Sequence, residues 1–500
     1  MIITLLLCAI ILTAVWFSVR WTHLKDYWKR RGAPFVPPYP VIGNMTFIQR
    51  ENPAIWMRRI YDTYKTPYVG IWIFQKPALV INCPEIARRV LARDASNFKN
   101  RFVGSGISDP LGSLNLFTVN DPVWTEVRRR LTPVFTLAKL KSMQPFVRAK
   151  TRELLTRISQ EKSENLSLRY LFSDITTDII GTAAFGVAGE ATLTGSSPMR
   201  EVTLKLQIFD VFRGLSWNSI FFCPWLVDIF GFSFYPKSSA KYFRKVFEHV
   251  LEQRKTNIHK ITEPKDLLDA LLKLKQENDS GDAEFSDDLI VSQAAVFLQA
   301  GFDSSALSLT FAIYELAHHP EYQERLYQEL LEAKERSNNG EMNSQTLTNL
   351  VYLNAVIKET QRKYPTLGWL DRVAADDYVV DEKLTVEAGT PVYVNVVGPH
   401  FDQQYFPNPE RFDPDRFLPE NEKHITPFTY MPFGEGPRNC IGQRFAIQNI
   451  QIVLIGILLE YQVRPLPGSP KPTDMKFEKR GLVLAPNDDI YVDFVPRETL

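Results

Sequence analysis

The stretch PFGEGPRNCIGQRF, Pro432 to Phe445, places a single cysteine among three glycines and two arginines, directly before a long apolar run. A lone cysteine usually behaves as a small buried hydrophobe. Here the run RFAIQNIQIVLIGILLEY, which is apolar on nearly every face, predicts a buried helix over residues 443–461. Cys440 then lies at the positive end of this helix and close to the cationic Arg438, and both effects favour a thiolate over a thiol.

The glycines and the number of cysteines limit what Cys440 can do. Gly434, Gly436 and Gly442 have no Cβ, so the backbone can approach something flat. The chain has only four cysteines, without a CxxC pair, which argues against a disulfide framework or a zinc site. One sulfur can still serve as the single axial ligand of a haem and leave the opposite face open. A cysteine hydrolase is a competing interpretation, but no histidine lies in this loop.

The segment FGEGPRNCIG, Phe433 to Gly442, resembles the FxxGxRxCxG signature of the cytochrome P450 haem-thiolate monooxygenases. The chain looks most similar to the insect microsomal enzymes that oxidise insecticides and plant toxins, and further motifs of the family follow in the expected order. The resemblance implies the cytochrome P450 fold, which is mainly α with a smaller β-rich region. It also implies haem b as the cofactor, with Cys440 as the axial thiolate ligand of the iron.

One further motif matches a structural feature of the family. In KETQRKYP, Glu359 and Arg362 lie three residues apart on one face of a predicted helix, a spacing that is typical of a solvated ion pair. The resemblance instead implies a buried triad with Arg416 of the segment FDPDRF. Such a triad is structural and not catalytic, and the removal of one partner is expected to be severely destabilising.

Arginines and a tryptophan elsewhere in the chain are candidates for holding the haem. Trp124 and Arg128 in WTEVRRR are four residues apart and share a helix face. An amphipathic helix alone explains that spacing, whereas the resemblance pairs both side chains with the haem propionates, which suit the planar guanidinium of arginine. The residues that the resemblance implies for cofactor binding are Arg101, Trp124, Arg128, Ala300, Arg372, Phe433, Arg438 and Cys440.

A second chemical motif, AGFDS, interrupts a long apolar helix that is predicted over residues 287–318. Asp303 and Ser304 cost free energy if they are buried without partners, and they could simply cap a second helix that restarts after Gly301. The resemblance instead implies a catalytic pair: the glycine lets the helix open over the haem, and the acid and the hydroxyl deliver protons. Most family members carry threonine at the hydroxyl position. Serine lacks the methyl group that fixes the rotamer of threonine. This predicts that proton delivery is less tightly coupled and that some reducing equivalents are lost as hydrogen peroxide.

The N-terminal sequence predicts an uncleaved membrane anchor over residues 1–19. The run IITLLLCAIILTAVWFSV has no charge over about eighteen residues. It lacks the basic start and the small-residue cleavage site of a signal peptide, and the basic residues after it indicate that the rest of the chain stays in the cytoplasm. A basic and proline-rich hinge is predicted over residues 20–45, and a single haem-binding catalytic domain over 46–500. The expected location is the endoplasmic reticulum membrane, with the catalytic domain on its cytoplasmic side.

Charge and missing motifs restrict the partners. Lys+Arg 58 balances Asp+Glu 57, so no overall field indicates nucleic acid. No GxGxxG fingerprint follows a strand, so the chain is not expected to bind a nicotinamide itself. The resemblance implies that electrons come from NADPH through NADPH-cytochrome P450 reductase, with cytochrome b5 as a further candidate partner. The residues expected on the basic docking face are Arg128 to Arg130, Lys139, Lys141 and Arg444.

We therefore predict a monooxygenase of the unspecific type, which inserts one oxygen atom from O2 into a lipophilic substrate, with insecticides or plant toxins as the first candidates. An endogenous hormone or lipid substrate would leave the same motifs intact. A haem-thiolate isomerase is expected to lack the acid and hydroxyl pair, and a non-catalytic haem binder is an alternative from another class. The residues expected to line the pocket are Arg101 to Thr118, Val296, Ala300, Leu367, Leu482 and Val483.

Overall fold

Helices form most of the structure, a computed structural model that describes residues 2–255, 267–278, 286–337 and 342–498. The α-helices of these residues are α1 Ile2–Lys25, α2 Tyr27–Arg30, α3 Pro53–Thr63, α4 Pro84–Arg88, α5 Pro110–Ser113, α6 Val123–Leu131, α7 Leu137–Gln160, α8 Leu168–Phe185, α9 Ala191–Thr194, α10 Pro198–Gln207, α11 Val211–Phe222, α12 Trp225–Phe230, α13 Lys237–Lys255, α14 Leu267–Asn278, α15 Asp287–His318, α16 Pro320–Glu335, α17 Ser344–Asn349, α18 Val351–Lys363, α19 Val397–His400, α20 Pro419–Glu422 and α21 Gln443–Glu460. The strands are β1 Tyr68–Ile73, β2 Lys76–Ile81, β3 Trp369–Val373, β4 Tyr378–Val379, β5 Thr385–Val386, β6 Pro391–Asn395, β7 Tyr461–Pro465 and β8 Val492–Pro496. This mainly α architecture with small sheets agrees with the predicted fold class.

Apolar periodicity predicts four further helices, over residues 126–160, 240–257, 319–336 and 346–363, and residues 256 and 257 lie outside the described residues. Helices are present in all four segments, but two of the segments are divided in the structure. The segment predicted as one helix over 126–160 consists of α6 and α7, which are joined by a 3-10 turn over Thr132–Phe135. Pro133 lies in this turn and lacks the amide N–H that an α-helical hydrogen bond needs, and the chain becomes extended at Thr136 before α7 begins. The segment predicted over 346–363 is likewise divided into α17 and α18, whereas α15 and α21 have nearly the predicted bounds.

Helix α15 is the central helix of the core. It packs against α8, α18 and α21, and most of its residues are buried. Its length and apolar composition would allow it to cross a membrane, but 72% of its apolar window is buried inside the protein. We therefore interpret α15 as a core helix. A helix that is surrounded by protein has no polar face, which explains why its sequence is apolar on nearly every side.

The larger sheet has four strands in the order β1-β2-β6-β3. Strands β1 and β2 are antiparallel, β2 and β6 are parallel, and β6 and β3 are antiparallel. Both β1 and β6 are buried along their whole length, as their continuous apolar runs predict. Strand β3 pairs with β6, and this register fixes Asp371 and Arg372 opposite Tyr393 and Val392.

The N-terminal hinge packs against this sheet. Phe35 forms a parallel β-bridge with Gly70. The ring of Trp28 is fully buried, and a Cβ at Gly70 would lie only 2.3 Å from it, so this close contact requires glycine. The indole of Trp72 donates a hydrogen bond to the Leu24 carbonyl at the end of α1. The basic and proline-rich hinge predicted over residues 20–45 is therefore held against the body.

A buried charge cluster joins α18 to the segment that precedes the cysteine loop. Arg362 donates two hydrogen bonds to Glu359, at 2.7 and 2.9 Å, and neither side chain has exposed surface. Arg416 Nε lies 3.5 Å from the same carboxylate, and the amide of Asp413 donates to it at 2.8 Å. Glu359, Arg362 and Arg416 therefore lie together in the structure, with the carboxylate between the two cations.

His400 is buried next to this cluster in one tautomer. The amide of Met431 donates to its Nε2 at 3.2 Å, so Nδ1 carries the proton and donates to the Arg362 carbonyl at 2.9 Å. Burial, and to a smaller extent the charge of Arg362, lower the pKa of His400 from 6.5 to about 3.

The stability of the protein should therefore fall as the pH drops below 6.5, because the unfolded chain then takes up a proton at His400 that the folded protein does not. Between neutral pH and roughly pH 5 this proton uptake lowers the free energy of unfolding by about 2 kcal/mol. His400→Gln should lose this part of the pH dependence, which is measured by urea unfolding at about pH 7 and about pH 5. His424→Gln changes an exposed histidine and should keep it. The same pH dependence in His400→Gln and wild type would contradict the assignment.

Candidate active site

The cysteine loop turns the chain just before α21. The amide of Cys440 donates to the Phe433 carbonyl at 2.9 Å, which closes the loop. Gly434 and Gly436 have φ angles of 69° and 73°, a left-handed conformation that favours glycine. A Cβ at Gly436 would also lie 1.8 Å from the carbonyl oxygen of Leu91. Glycine is therefore needed at position 436 because of the close contact with the backbone of Leu91, and not because a flat group approaches it, as predicted.

Cys440 can be reached by a small molecule although protein surrounds it. The residue is exposed, and a Cβ at Gly442 would meet no atom within 4 Å, so the loop borders open space here. Burial among protein atoms still raises the pKa of the thiol, while the Gly442 amide and the charges of Arg128 and Arg101 lower it. The protein alone thus favours the thiol, contrary to the prediction, and the cations that act on it are not the predicted Arg438. A bound metal ion would deprotonate the sulfur.

Two buried arginines, Arg372 and Arg438, and the half-buried Arg101 form a cationic cluster beside the loop. Burial is the main cause that lowers the pKa of Arg372 to about 9 and that of Arg438 to about 8, and repulsion from Arg101 lowers both further. A carboxylate oxygen of Asp371 lies 3.9 Å from Arg101 Nη1, and one carboxylate does not balance three guanidinium groups. Arg101 Nε is buried and has no hydrogen-bond partner among the described residues. The cluster therefore suits a ligand that brings negative charge.

Trp124 and Arg128 extend this cluster from α6. The guanidinium of Arg438 lies over the Trp124 ring, 4.0 Å from its centre, and donates to the Lys99 carbonyl at 2.8 Å. Arg128 donates to the carbonyl oxygen of Asn439 at 2.9 Å and to its side-chain oxygen at 2.8 Å. The structure thus brings to the surroundings of the cysteine loop the predicted residues Arg101, Trp124, Arg128, Arg372 and Arg438.

Ala300 and Ser304 lie on an accessible part of α15. Ala300 is exposed although its helix belongs to the core, so open space lies beside it. The hydroxyl of Ser304 donates to the Ala300 carbonyl at 2.6 Å. The helix is continuous through Gly301, so it neither opens there nor restarts with a new cap, contrary to both expectations. The accessible backbone thus results from the surroundings of the helix and not from a break in it.

Asp303 has different partners from its neighbour Ser304. Its Oδ1 accepts a hydrogen bond from Gln207 Nε2 at 2.9 Å and one from Arg169 Nη2 at 3.3 Å. These partners belong to α10 and α8, so the carboxylate is held from the side of those helices. The acid and the hydroxyl are adjacent in sequence but do not share a hydrogen bond.

The match to known proteins extends over nearly the whole chain. A sequence profile of the family described as Cytochrome P450 matches residues 34–492. The chain is 35% identical to Cytochrome P450 6k1 of Blattella germanica, over 99% of this chain and 96% of that protein. It is 32% identical to Probable cytochrome P450 6g2 of Drosophila melanogaster, over 98% of each. The chain belongs to the cytochrome P450 family. A third P450, Cytochrome P450 6a2 of Drosophila melanogaster, is 32% identical over 93% of this chain and 94% of its own length.

Membership of the cytochrome P450 family implies a monooxygenase with haem and iron, and the residues of this P450 fit that group. Cys440 offers an accessible sulfur, and the side of Gly442 that lacks a Cβ leaves room for a flat macrocycle. The cationic cluster matches the two carboxylates of the haem propionates, because guanidinium groups bind carboxylates in a bidentate manner.

Sequence reasoning missed three residues of this P450 site. Asp371 lies among the predicted arginines, and its only signal is its position directly before Arg372. Arg169 and Gln207 hold Asp303 from positions 134 and 96 residues away in sequence. No local pattern connects residues at such distances.

Proposed function

We propose that this P450 oxidises lipophilic xenobiotics, with insecticides and plant toxins as the first candidates. The observation that carries the proposal is the accessible Cys440 beside a buried cationic cluster, in a chain that belongs to the cytochrome P450 family. The similarity to family-6 proteins of two insects supports the xenobiotic class.

In this proposal the chain holds the haem at two places. The sulfur of Cys440 would ligate the iron, and Arg101, Arg372 and Arg438, assisted by Trp124 and Arg128, would hold the propionates. The haem, when bound, supplies the activation of dioxygen, which a thiolate ligand promotes. The protein positions the substrate and excludes water from the pocket.

Ser304 and Asp303 are proposed to supply protons. Ser304 Oγ lies beside the Ala300 carbonyl at the open side of α15, where it can hold and release a proton. The Asp303 carboxylate can take a proton from water and pass it on. Ordered water bridging polar groups is common in buried sites and is expected to connect Asp303 with Ser304.

The proposed reaction needs a source of electrons. One atom of O2 enters the substrate and the other leaves as water, while two electrons and two protons are consumed. The electrons are proposed to come from NADPH through NADPH-cytochrome P450 reductase, with cytochrome b5 as a second donor. Lys141 and Arg444 are exposed and are candidates for docking, whereas Arg129 and Arg130 both pair with Glu126.

The proposed location is the endoplasmic reticulum membrane, with the catalytic domain in the cytoplasm. Residues 1–19 would form the anchor, and the described part of this segment, from Ile2 onward, belongs to α1, which continues to Lys25. The basic hinge over 20–45 would lie at the membrane surface, and residues 46–500 would form the catalytic domain.

Aromatic side chains support a lipophilic substrate. The rings of Phe117 and Phe221 pack with their centres 5.6 Å apart, and those of Phe135 and Phe297 with their centres 5.2 Å apart. Phe117 belongs to the predicted lining loop, and Phe297 follows the predicted lining residue Val296 on α15. Rings of this kind would contact apolar groups of a substrate without requiring specific hydrogen bonds.

The proposal is tested by reconstituting the full chain with the reductase in lipid vesicles, with NADPH and isotopically labelled dioxygen. A panel of lipophilic alkenes, insecticides and plant toxins provides the substrates. The expected products are heavier by one oxygen atom, and that atom carries the label. An absence of labelled products across the panel would overturn the proposed function. A rearranged product without NADPH consumption would identify an isomerase.

Changes at Ser304 should alter the hydrogen peroxide released per NADPH consumed. Ser304→Ala removes the hydroxyl and should raise this ratio at least about tenfold. This change is smaller than the usual contribution of a general acid to a reaction rate. Ser304→Thr adds the methyl group that fixes the rotamer and should lower the ratio. Ser308→Ala removes a hydroxyl one turn further along α15 and is the matched control. Equal ratios in the Ser304 variants and wild type would exclude the proposed role.

A further inference from the structure

The carboxylate of Asp303 is held by a glutamine from another helix. Gln207, the last residue of α10, donates from Nε2 to Asp303 Oδ1 at 2.9 Å and to Ser173 Oγ at 2.7 Å. Its Oε1 accepts a hydrogen bond from Arg200 Nη1 at 3.2 Å. A single side-chain amide thus connects α8, α10 and α15 at the position of the proposed proton donor.

The orientation of this amide follows from the chemistry of its partners. A guanidinium only donates and an ionised carboxylate only accepts, so a flipped Gln207 amide would lose its bonds to both Arg200 and Asp303. Arg200 is itself almost completely buried and forms an ion pair with Asp174. Arg200, which is held by its buried ion pair with Asp174, therefore fixes the orientation of the Gln207 amide, as expected for a group that positions another side chain.

These hydrogen bonds make the two carboxylate oxygens of Asp303 unequal. Oδ1 accepts from Gln207 and from Arg169, whereas no hydrogen bond from a described residue reaches Oδ2. The side chain keeps 11% of its surface exposed. Since Oδ1 is engaged twice, Oδ2 is the oxygen left to bind water and to exchange a proton.

We propose that Gln207 is a positioning residue for proton delivery, which holds Asp303 Oδ1 and thereby keeps Oδ2 available to water. A glutamine amide does not titrate, so Gln207 acts through Asp303 and does not carry the proton itself. Because Gln207 ends α10, a displacement of this helix would also release the carboxylate. The inference rests on the proposed function, in which Asp303 supplies protons.

The test begins with Gln207→Leu, which keeps a similar size and removes the amide. The ratio of hydrogen peroxide released to NADPH consumed should rise roughly tenfold, the size expected for losing a hydrogen bond to a charged group. It is measured with the panel substrate that gives the highest product yield. The solvent isotope effect on product formation should also increase, whereas haem content and substrate affinity should not change. Lys205→Gln alters an exposed residue of α10 and is the control.

The variant Asp303→Asn separates the proposed role of Asp303 as proton donor from the proposed role of Gln207 in positioning it. If Gln207 acts through Asp303, Gln207→Leu should add nothing to the peroxide ratio of Asp303→Asn. Additive effects of the two substitutions on the peroxide ratio would overturn the inference. It would also be overturned if Asp303→Asn raised the peroxide ratio while Gln207→Leu kept the wild-type ratio. A wild-type ratio in Asp303→Asn would instead overturn the proposed proton donor. If Gln207→Leu does not retain haem, Gln207→Glu gives the second test, because a like charge beside Asp303 should also raise the ratio.

Discussion

Arg362→Met is expected to destabilise the protein by about 3–5 kcal/mol, the cost of leaving a buried charge without its partner. Arg362 donates two hydrogen bonds to Glu359 and further ones to backbone carbonyls, without any exposure to water. Arg416 Nε lies 3.5 Å from the same carboxylate and forms no hydrogen bond with any described residue, so it does not replace the lost contacts. The measurement is urea unfolding of the haem-loaded protein, together with its haem content after purification.

The neighbouring pair of Lys358 and Glu422 provides the control. Both side chains are partly exposed, at 34% and 40%, and Lys358 is on the same helix as Arg362. Lys358→Met should therefore cost at most about 1 kcal/mol, as is usual for surface ion pairs. Equal costs for the two methionine variants would show that the buried cluster is not needed for stability.

Cys440→Ser should reduce product formation to the level that is measured with the reductase alone. The cysteine loop offers one sulfur at the open space, so no second ligand is available there to hold the iron. The measurement is the yield of labelled product per mole of protein, with haem content determined in parallel.

Cys83→Ser is the matched control for this experiment. Cys83 is a half-buried free cysteine at the start of α4, outside the cysteine loop. Its replacement should leave both haem content and product yield unchanged. Full activity in Cys440→Ser, or the same loss in Cys83→Ser, would contradict the role given to Cys440.

The sequence predicts the helices and strands that have a continuous apolar pattern. Helix α21 and strands β1 and β6 lie where their apolar runs place them, because their hydrophobic residues are buried locally and nearly without interruption. The apolar pattern does not predict the division between α6 and α7, although Pro133, which lacks an amide N–H, is a local signal for it.

The candidate site was predictable only where a motif is local. The cysteine loop is contiguous, so its glycines and Cys440 could be found together in the sequence. The thiol pKa could not be predicted, because it depends on how much protein surrounds the sulfur. Likewise, the partners of Asp303 come from α8 and α10, and only the folded chain brings Arg169 and Gln207 to it.

The most direct test of the central claim is the absorption spectrum of the dithionite-reduced, carbon-monoxide-bound protein, compared between wild type and Cys440→Ser. We expect the wild type to show the strongly red-shifted Soret band of a thiolate-ligated haem, and the variant to lose it. A band at the ordinary position of histidine-ligated haem in the wild type, or a red-shifted band that survives in Cys440→Ser, would contradict the assignment of Cys440 as the axial ligand.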